Sequence, residues 1–330
     1  MKAAWFGKFG PARDVLVVGD QPKPEPGPGE VLVHLHTSGV NPSDVKKRAG
    51  SFPNLLDGGY VIPNSDGAGV IEAVGAGVDS RRVGERVWVY QAQFGRRFGT
   101  AAQYVAVDAS RAATLPEKTG FDVGACLGIP VMTAHRCVFA DGPVAGQTLL
   151  VTGGAGRVGY YAIQWARHSG AKVIASASNA RDEAVCRAAG AHHVFNHREA
   201  GWGTRVQQLN DGAPVDRVVD VEFGANLPEV LNCIRIGGVI ATYSSTQVKE
   251  PMLPFFQIMY LDLTIRFVIV YAMPETAKHQ AIADIHAALS EGWMQHRLMA
   301  TVPLAEIARA NELIEQGGPG GCVVVDVTGR

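Results

Sequence analysis

Two kinds of hydrophobic pattern divide the chain. Up to about residue 120, apolar residues come in short runs broken by glycine and proline. Val31-Leu32-Val33-His34-Leu35-His36 alternates as a half-buried strand does, and Gly67 to Gly75 and Gly84 to Tyr90 read as further strands. Pro22 to Gly29 (PKPEPGPG) is a clear break. Short, irregular, glycine-rich strands predict a small β-rich barrel, not a helical bundle. From Phe121 to about Gly238 the texture changes. Apolar strands at Leu149–Thr152, Lys172–Ser176, Val194–Phe195, Val215–Val221 and Val239–Tyr243 are interleaved with helical stretches at Val158–His168 and Arg181–Ala189. This α/β alternation predicts a parallel sheet with helices on both faces. Leu263 to Tyr271 (LTIRFVIVY) reads as an apolar edge strand, Ala277 to Glu291 as an amphipathic helix, and Gly321 to Val327 as a closing strand. No repeat at solenoid spacing is present.

The length of 330 residues fits about two domains. With 47% hydrophobic and 18% charged residues, the chain has material for substantial cores and is not a disordered one. Lys and Arg total 30 against 31 Asp and Glu, so no broadly basic surface for nucleic acid is indicated. The five cysteines include no CxxC pair, which argues against a disulfide framework and a cysteine zinc cluster. The opening Met1-Lys2-Ala3-Ala4-Trp5 has no apolar signal core, and no membrane-length apolar run follows. The expectation is a soluble, cytoplasmic protein in a reducing compartment.

The strand at Leu149–Thr152 runs into Gly153-Gly154-Ala155-Gly156-Arg157-Val158-Gly159 and then a helix. Gly154, Gly156 and Gly159 have the G-x-G-x-x-G spacing of a dinucleotide-binding turn. Such glycines admit a pyrophosphate to the backbone, and the free N–H groups of the helix point at its charge. Arg157 either touches phosphate or faces solvent. An NAD site places an acid about 20 residues on. Here Ser176-Ala177-Ser178-Asn179-Ala180-Arg181 offers hydroxyls, an amide and a cation before the first acid, Asp182. That set suits the 2′-phosphate of NADPH.

With these residues in view, the chain resembles the quinone oxidoreductase family, which includes zeta-crystallin, of the medium-chain dehydrogenase/reductase superfamily. The resemblance runs through Gly39-Val40-Asn41-Pro42, Ser65-Asp66 with Gly67 to Gly75, Gly128-Ile129-Pro130 with Thr133-Ala134, the glycine turn, and Val194 to Glu199. It implies a GroES-like β-rich catalytic domain (1–122 and 272–330) and a Rossmann, doubly wound cofactor domain (123–271). It also implies an NADPH cofactor with its nicotinamide between the two domains. This chain departs from the family at Arg157, Lys46, His135 and Gly321-Cys322. Zinc-dependent relatives carry Cys where Asn41 stands and His-Glu where Ser65-Asp66 stand, so neither the catalytic nor the structural zinc site is expected.

The resemblance also places the site residues. Gly154, Ala155, Gly156, Arg157, Val158 and Gly159 line the pyrophosphate. Ser178, Arg181 and His197 surround the adenosine phosphate. Asn226 and Tyr243-Ser244-Ser245-Thr246 approach the ribose side, and Val268-Ile269-Val270 run beside the nicotinamide. Without a metal, an acceptor that is already electrophilic is favoured, a quinone or an α,β-unsaturated carbonyl. Asn41 is the candidate donor to the acceptor's oxygen, against the plain role of a turn residue before Pro42. Lys46 is either an anion-binding or a solvated lysine. Thr133 either positions the nicotinamide or packs a helix. His135 is more simply a packed histidine than a proton donor. The expected activity is zinc-independent NADPH:quinone reduction by a homodimer. Reduction of an enone or enoyl thioester is the alternative, and a non-catalytic NADPH-binding structural or RNA-associated protein is another.

Overall fold

The computed structural model describes residues 1–317 and 320–329. The chain divides into two compact units, residues 1–129 with 282–330, and residues 130–281. The sequence-based domain limits were set at 122/123 and 271/272. The first crossover falls inside the irregular helical turn Leu127–Val131, and the second falls inside the helix Glu275–Glu291.

In the first unit, β1 (Lys2–Trp5) pairs antiparallel with β2 (Val17–Asp20). The organising element is β3 (Glu30–Val40), followed by β4 (Asp66–Val74), β5 (Arg86–Val89), β6 (Tyr104–Asp108) and β7 (Ala112–Thr114). Strand β3 pairs with β4 along its length and with β6 over Glu30–His34. The β3–β4 register slips between Leu32 and Val33 and again between Leu35 and Thr37. These irregularities bend the sheet, as bulges do. Val31, Val33 and Leu35 alternate onto one face and are fully buried with Ile71, Val87 and Val105.

The second unit holds one parallel sheet of β8 (Thr148–Val151), β9 (Lys172–Ala177), β10 (His193–Asn196), β11 (Val215–Asp220), β12 (Ile234–Thr242) and β13 (Thr264–Phe267). Its spatial order is β10-β9-β8-β11-β12-β13, the 3-2-1-4-5-6 winding of dinucleotide-binding sheets. Leu150, Ile174, Val218 and Ile240 bury one face under the helices Trp202–Leu209 and Phe223–Leu231. The helices Met132–Phe139 and Arg157–His168 pack on each other and on the sheet. Burial on two faces explains why these strands read as continuous apolar runs.

One expected element is shorter than its pattern. The apolar run Leu263 to Tyr271 forms a strand only over Thr264–Phe267, then turns through Val270–Ala272. The register is the reason. Phe267 is opposite Thr242, the last residue of β12, so the chain beyond it has no neighbouring strand to continue the ladder. It is an edge strand, as expected.

Back in the first unit, β14 (Leu298–Pro303) and β15 (Cys322–Asp326) complete the main sheet. Strand β15 pairs with the end of β3, setting Val323 opposite Val40. Among the described residues no helix is long and apolar enough to cross a membrane.

Candidate active site

The glycine turn leaves β8 at the point where the winding changes direction, with β9 on one side and β11 on the other. Gly153 N–H donates to Ser176 Oγ at 2.9 Å and Gly154 N–H to Ser176 O at 3.0 Å, so β9 holds the turn in place. The helix Arg157–His168 starts immediately after Gly156. Its first turn carries N–H groups with no partner inside the helix, the chemistry a pyrophosphate requires. A Cβ at Gly159 would lie 2.4 Å from Gly153 O, so only glycine lets the helix pack this closely on the turn. Arg157 is half-buried.

Ser178, Arg181 and His197 lie past the ends of β9 and β10, on the same edge of the sheet. Arg181 is exposed and forms no ion pair with any described residue. Asp182 lies closer to this turn than the linear sequence suggests. Asn179 caps the helix Ala180–Ala188 by accepting from Asp182 N–H at 3.0 Å. The Asp182 carboxylate in turn accepts from Asn179 Nδ2 at 2.9 Å and lies 3.5 Å from Ser178 Oγ. The capping turn thus returns an acid to a stretch read as free of one.

Asn226 and Tyr243 to Thr246 follow β11 and β12. They are tied down by two acids that the sequence reading left out. Asp220 Oδ1 accepts from Thr152 Oγ1 at 2.6 Å and from Asn226 Nδ2 at 2.8 Å, joining the start of the glycine turn to the next helix. Burial pushes the Asp220 pKa up, and its Oδ2 has no hydrogen-bond partner among the described residues. Glu222 accepts the Thr246 N–H at 2.8 Å and the Gln247 N–H at 2.9 Å, clamping the turn after β12. A cavity of about 460 Å³ is lined by Tyr243, Ser244, Ser245, Val268, Ile269 and Lys249. Val270, by contrast, is buried in the turn after β13. Thr133 is buried in the helix Met132–Phe139, and His135 packs against Phe139 and edge-on to Trp165.

Asn41 and Lys46 belong to the first unit. Asn41 begins the helix Pro42–Arg48, and its N–H donates to Asp44 Oδ2 at 2.9 Å. Its Nδ2 donates to Asp66 Oδ2 at 2.9 Å, and Ile129 N–H reaches the same oxygen at 2.7 Å. Lys46 is exposed, whereas Lys47 and Arg48 are buried. The solvated-lysine reading of Lys46 fits this placement, but its two basic neighbours are not solvated with it. Lys47 Nζ donates to Gln93 Oε1 at 2.8 Å and to Gln93 O at 3.1 Å. Burial raises the Asp44 pKa to about 6 and the Asp66 pKa to about 8, and it lowers that of Lys47. This buried acid–base cluster was not named from the sequence. The helical phase of Asp44, Val45, Lys47 and Arg48, which share one side and leave Lys46 outside, was the available signal.

A zinc ion does not fit these residues. The donor set at the three relevant positions is an amide, a hydroxyl and a carboxylate, and the amide is already hydrogen-bonded to the carboxylate. No three His, Cys, Asp or Glu side chains among the described residues converge as a metal-holding group.

Known proteins show the same two-part organisation. The alcohol dehydrogenase GroES-like domain pattern matches residues 27–117, and the zinc-binding dehydrogenase pattern matches residues 158–287. A quinone oxidoreductase of Pongo abelii is 31% identical over 318 residues, covering 96% of this chain and 94% of its own. A 2-haloacrylate reductase of a Burkholderia species is 30% identical over 232 residues, covering 69% of this chain and 68% of its own. A mycobacterial protein solved in complex with NADPH superposes with a TM-score of 0.86 at 28% identity, covering 98% of this chain and 99% of the other. The sequence match over nearly the whole length carries the assignment: this chain belongs to the quinone oxidoreductase family.

Proposed function

We propose that this protein is a zinc-independent, NADPH-dependent reductase of quinones or related activated carbonyl compounds. The observation that carries this reading is the glycine turn at the sheet's switch point with the unpaired Arg181 on the same sheet edge. The NADPH-bound mycobacterial relative supports it. The N–H groups at the start of the helix Arg157–His168 hold the pyrophosphate. Arg181, with Ser178 beside it, binds the 2′-phosphate and outweighs the nearby Asp182 carboxylate, because it alone among these groups carries positive charge. The turn Tyr243 to Thr246, fixed by Glu222, and Val268-Ile269 line the nicotinamide end. The cofactor supplies the hydride when bound. Asn41 donates to the acceptor oxygen that gains charge.

The test is NADPH and NADH oxidation against quinones and enones in chelator-treated buffer. Quinone-dependent loss of NADPH, unchanged by chelation, is expected, with NADH the poorer donor. Arg181→Ala should narrow the NADPH preference by roughly 10- to 100-fold, the worth of a charge-assisted contact. Activity restored only by metal would overturn the zinc-free mechanism. Turnover of enones alone would favour the second reading, reduction of an activated double bond, which the similarity to the 2-haloacrylate reductase supports.

The second unit also carries the feature that favours a homodimer. Phe267 and Ile269 on the edge chain are exposed, as are Met252, Phe255, Phe256 and Tyr260. An unpaired apolar edge of this kind invites pairing with another copy. Sedimentation velocity should give twice the monomer mass, and Phe267→Lys should shift the protein toward monomer. A wild-type monomer at micromolar concentration would reject the proposal.

A further inference from the structure

Asp66 is enclosed to an unusual degree. It is fully buried, and a Cβ at Gly128 would fall 2.1 Å from its Oδ1, so this segment fits around the carboxyl only because residue 128 is glycine. Ile129 N–H and Asn41 Nδ2 both converge on Oδ2, whereas Oδ1 has no hydrogen-bond partner among the described residues. The backbone is fixed as well, since Thr100 Oγ1 donates to Asp66 O at 2.6 Å. Because the Asp66 side chain accepts, the nitrogen end of the Asn41 amide is the end that faces it. Asp44 binds the Asn41 main-chain N–H. Two acids therefore fix both the backbone and the amide of Asn41.

The charges that bear on Asp66 can be counted. Asp44 and Lys47 come from the helix Pro42–Arg48, and the Cys126 thiol comes from the segment before Gly128. With Asp44 and Asp66 both ionised, a single lysine leaves the buried cluster with one negative charge in excess. One proton removes it, and burial favours the neutral arrangement. Asp44 Oδ1 is unpartnered too, but Lys47 bears more strongly on Asp44 than on Asp66, so the proton belongs on the unpartnered Oδ1 of Asp66.

We propose that Asp66 is a positioning residue that holds the Asn41 amide toward the acceptor, and that it does so as a neutral acid. This rests on the proposed role of Asn41. The neutral form matters because reduction builds negative charge on the acceptor oxygen, which an ionised Asp66 behind Asn41 would oppose. Turnover then declines as the pH rises through the ionisation of Asp66, near 8. The sign follows from linkage. An acid whose folded pKa is raised stabilises the fold fully below its unfolded value, and that stability is lost as the pH rises through the folded value. Melting curves over the assay range separate unfolding from loss of turnover.

The experiment compares kcat and KM for wild type, Asp66→Asn, Asp66→Ala and Asn41→Ala between pH 6 and pH 10, with NADPH and a simple 1,4-quinone. Asp66→Ala should lose about 10- to 100-fold in kcat with little change in KM for NADPH, whose proposed ligands belong to the second unit. Asp66→Asn cannot ionise, so whatever its absolute rate, it should lack the alkaline decline of the wild type. Wild-type kcat in folded Asp66→Ala, or an unchanged alkaline decline in Asp66→Asn, overturns the proposal. If Asp66→Ala does not fold, the Asp66→Asn profile decides. Wild-type kcat in Asn41→Ala overturns this inference together with the role of Asn41. Loss in Asn41→Ala without loss in Asp66→Ala overturns only the inference.

Discussion

Gly159→Val is expected to abolish NADPH binding at concentrations that saturate the wild type, a loss of at least about 100-fold or roughly 2.7 kcal/mol. The contact is backbone to backbone. A Cβ at residue 159 would stand 2.4 Å from Gly153 O and 3.0 Å from Gly154 Cα, and neither atom belongs to a side chain that can rotate away. The helix Arg157–His168 must therefore lift from the turn by about 1 Å, and a displacement of that size is costly for a preorganised site. Its first N–H groups then no longer point where the turn places the pyrophosphate. Overpacking also costs roughly 1–3 kcal/mol of stability, so the melting temperature should fall alongside the affinity. Titration of NADPH by fluorescence checks the first effect, and thermal unfolding checks the second. Binding within a few-fold of wild type would show that the helix start does not hold the cofactor.

The largest expected loss of stability is at Arg48. Its guanidinium is 1% exposed and gathers groups from two parts of the first unit, the segment at Gly10 and the helix Ile307–Glu315. It donates to Gly10 O, to the Glu315 carboxylate, and to Asn311 Oδ1 at 3.2 Å. Arg48→Ala leaves a cavity, a carbonyl and an amide without their donor. Glu315 is partly exposed and rehydrates, so most of the cost arises at the buried partners. A loss of about 3 kcal/mol is expected, which for a unit of this size lowers its melting temperature by about 6–12 °C. Arg48→Lys keeps the charge but loses the fork and should recover only part of this. The helix Pro42–Arg48 also carries Asn41, Asp44 and Lys47, so kcat should fall before global unfolding as that helix loosens. An Arg48→Ala protein that melts with the wild type would refute this account.

These two residues were unequally legible in the sequence. Gly159 belongs to a local pattern in which strand, turn and helix are contiguous, and its requirement for glycine follows from that geometry alone. The sequence run Lys46-Lys47-Arg48 gives no comparable sign of burial. Lys46 drew attention because it departs from the family, yet the structure leaves it exposed and buries Lys47 beside Asp44 and Asp66. Helical phase puts Lys47 and Arg48 on the side of Asp44 and Val45, but it does not show that an acid from β4 and an amide from the loop before β6 face them. Asp182 shows the same limit on a smaller scale. In the linear sequence it lies beyond the 2′-phosphate stretch, and a capping turn folds it back. Leu263 to Tyr271 is the converse case, since its apolar pattern continues past the point where β12 ends and the ladder stops.

The sequence by itself determined what depends on neighbours within about thirty residues. That includes the alternation of strand and helix and the glycine turn that leads from a strand into a helix. Propensity, periodicity and turn chemistry act at that range. Only the tertiary structure decided which charges are buried and what faces them. Asp66 takes its partners from residues 25 and 63 positions away, Asn41 and Ile129, and Asp220 meets Thr152 across 68. A side chain's ionisation is set by desolvation and by the charges around it, and both are properties of the packed chain.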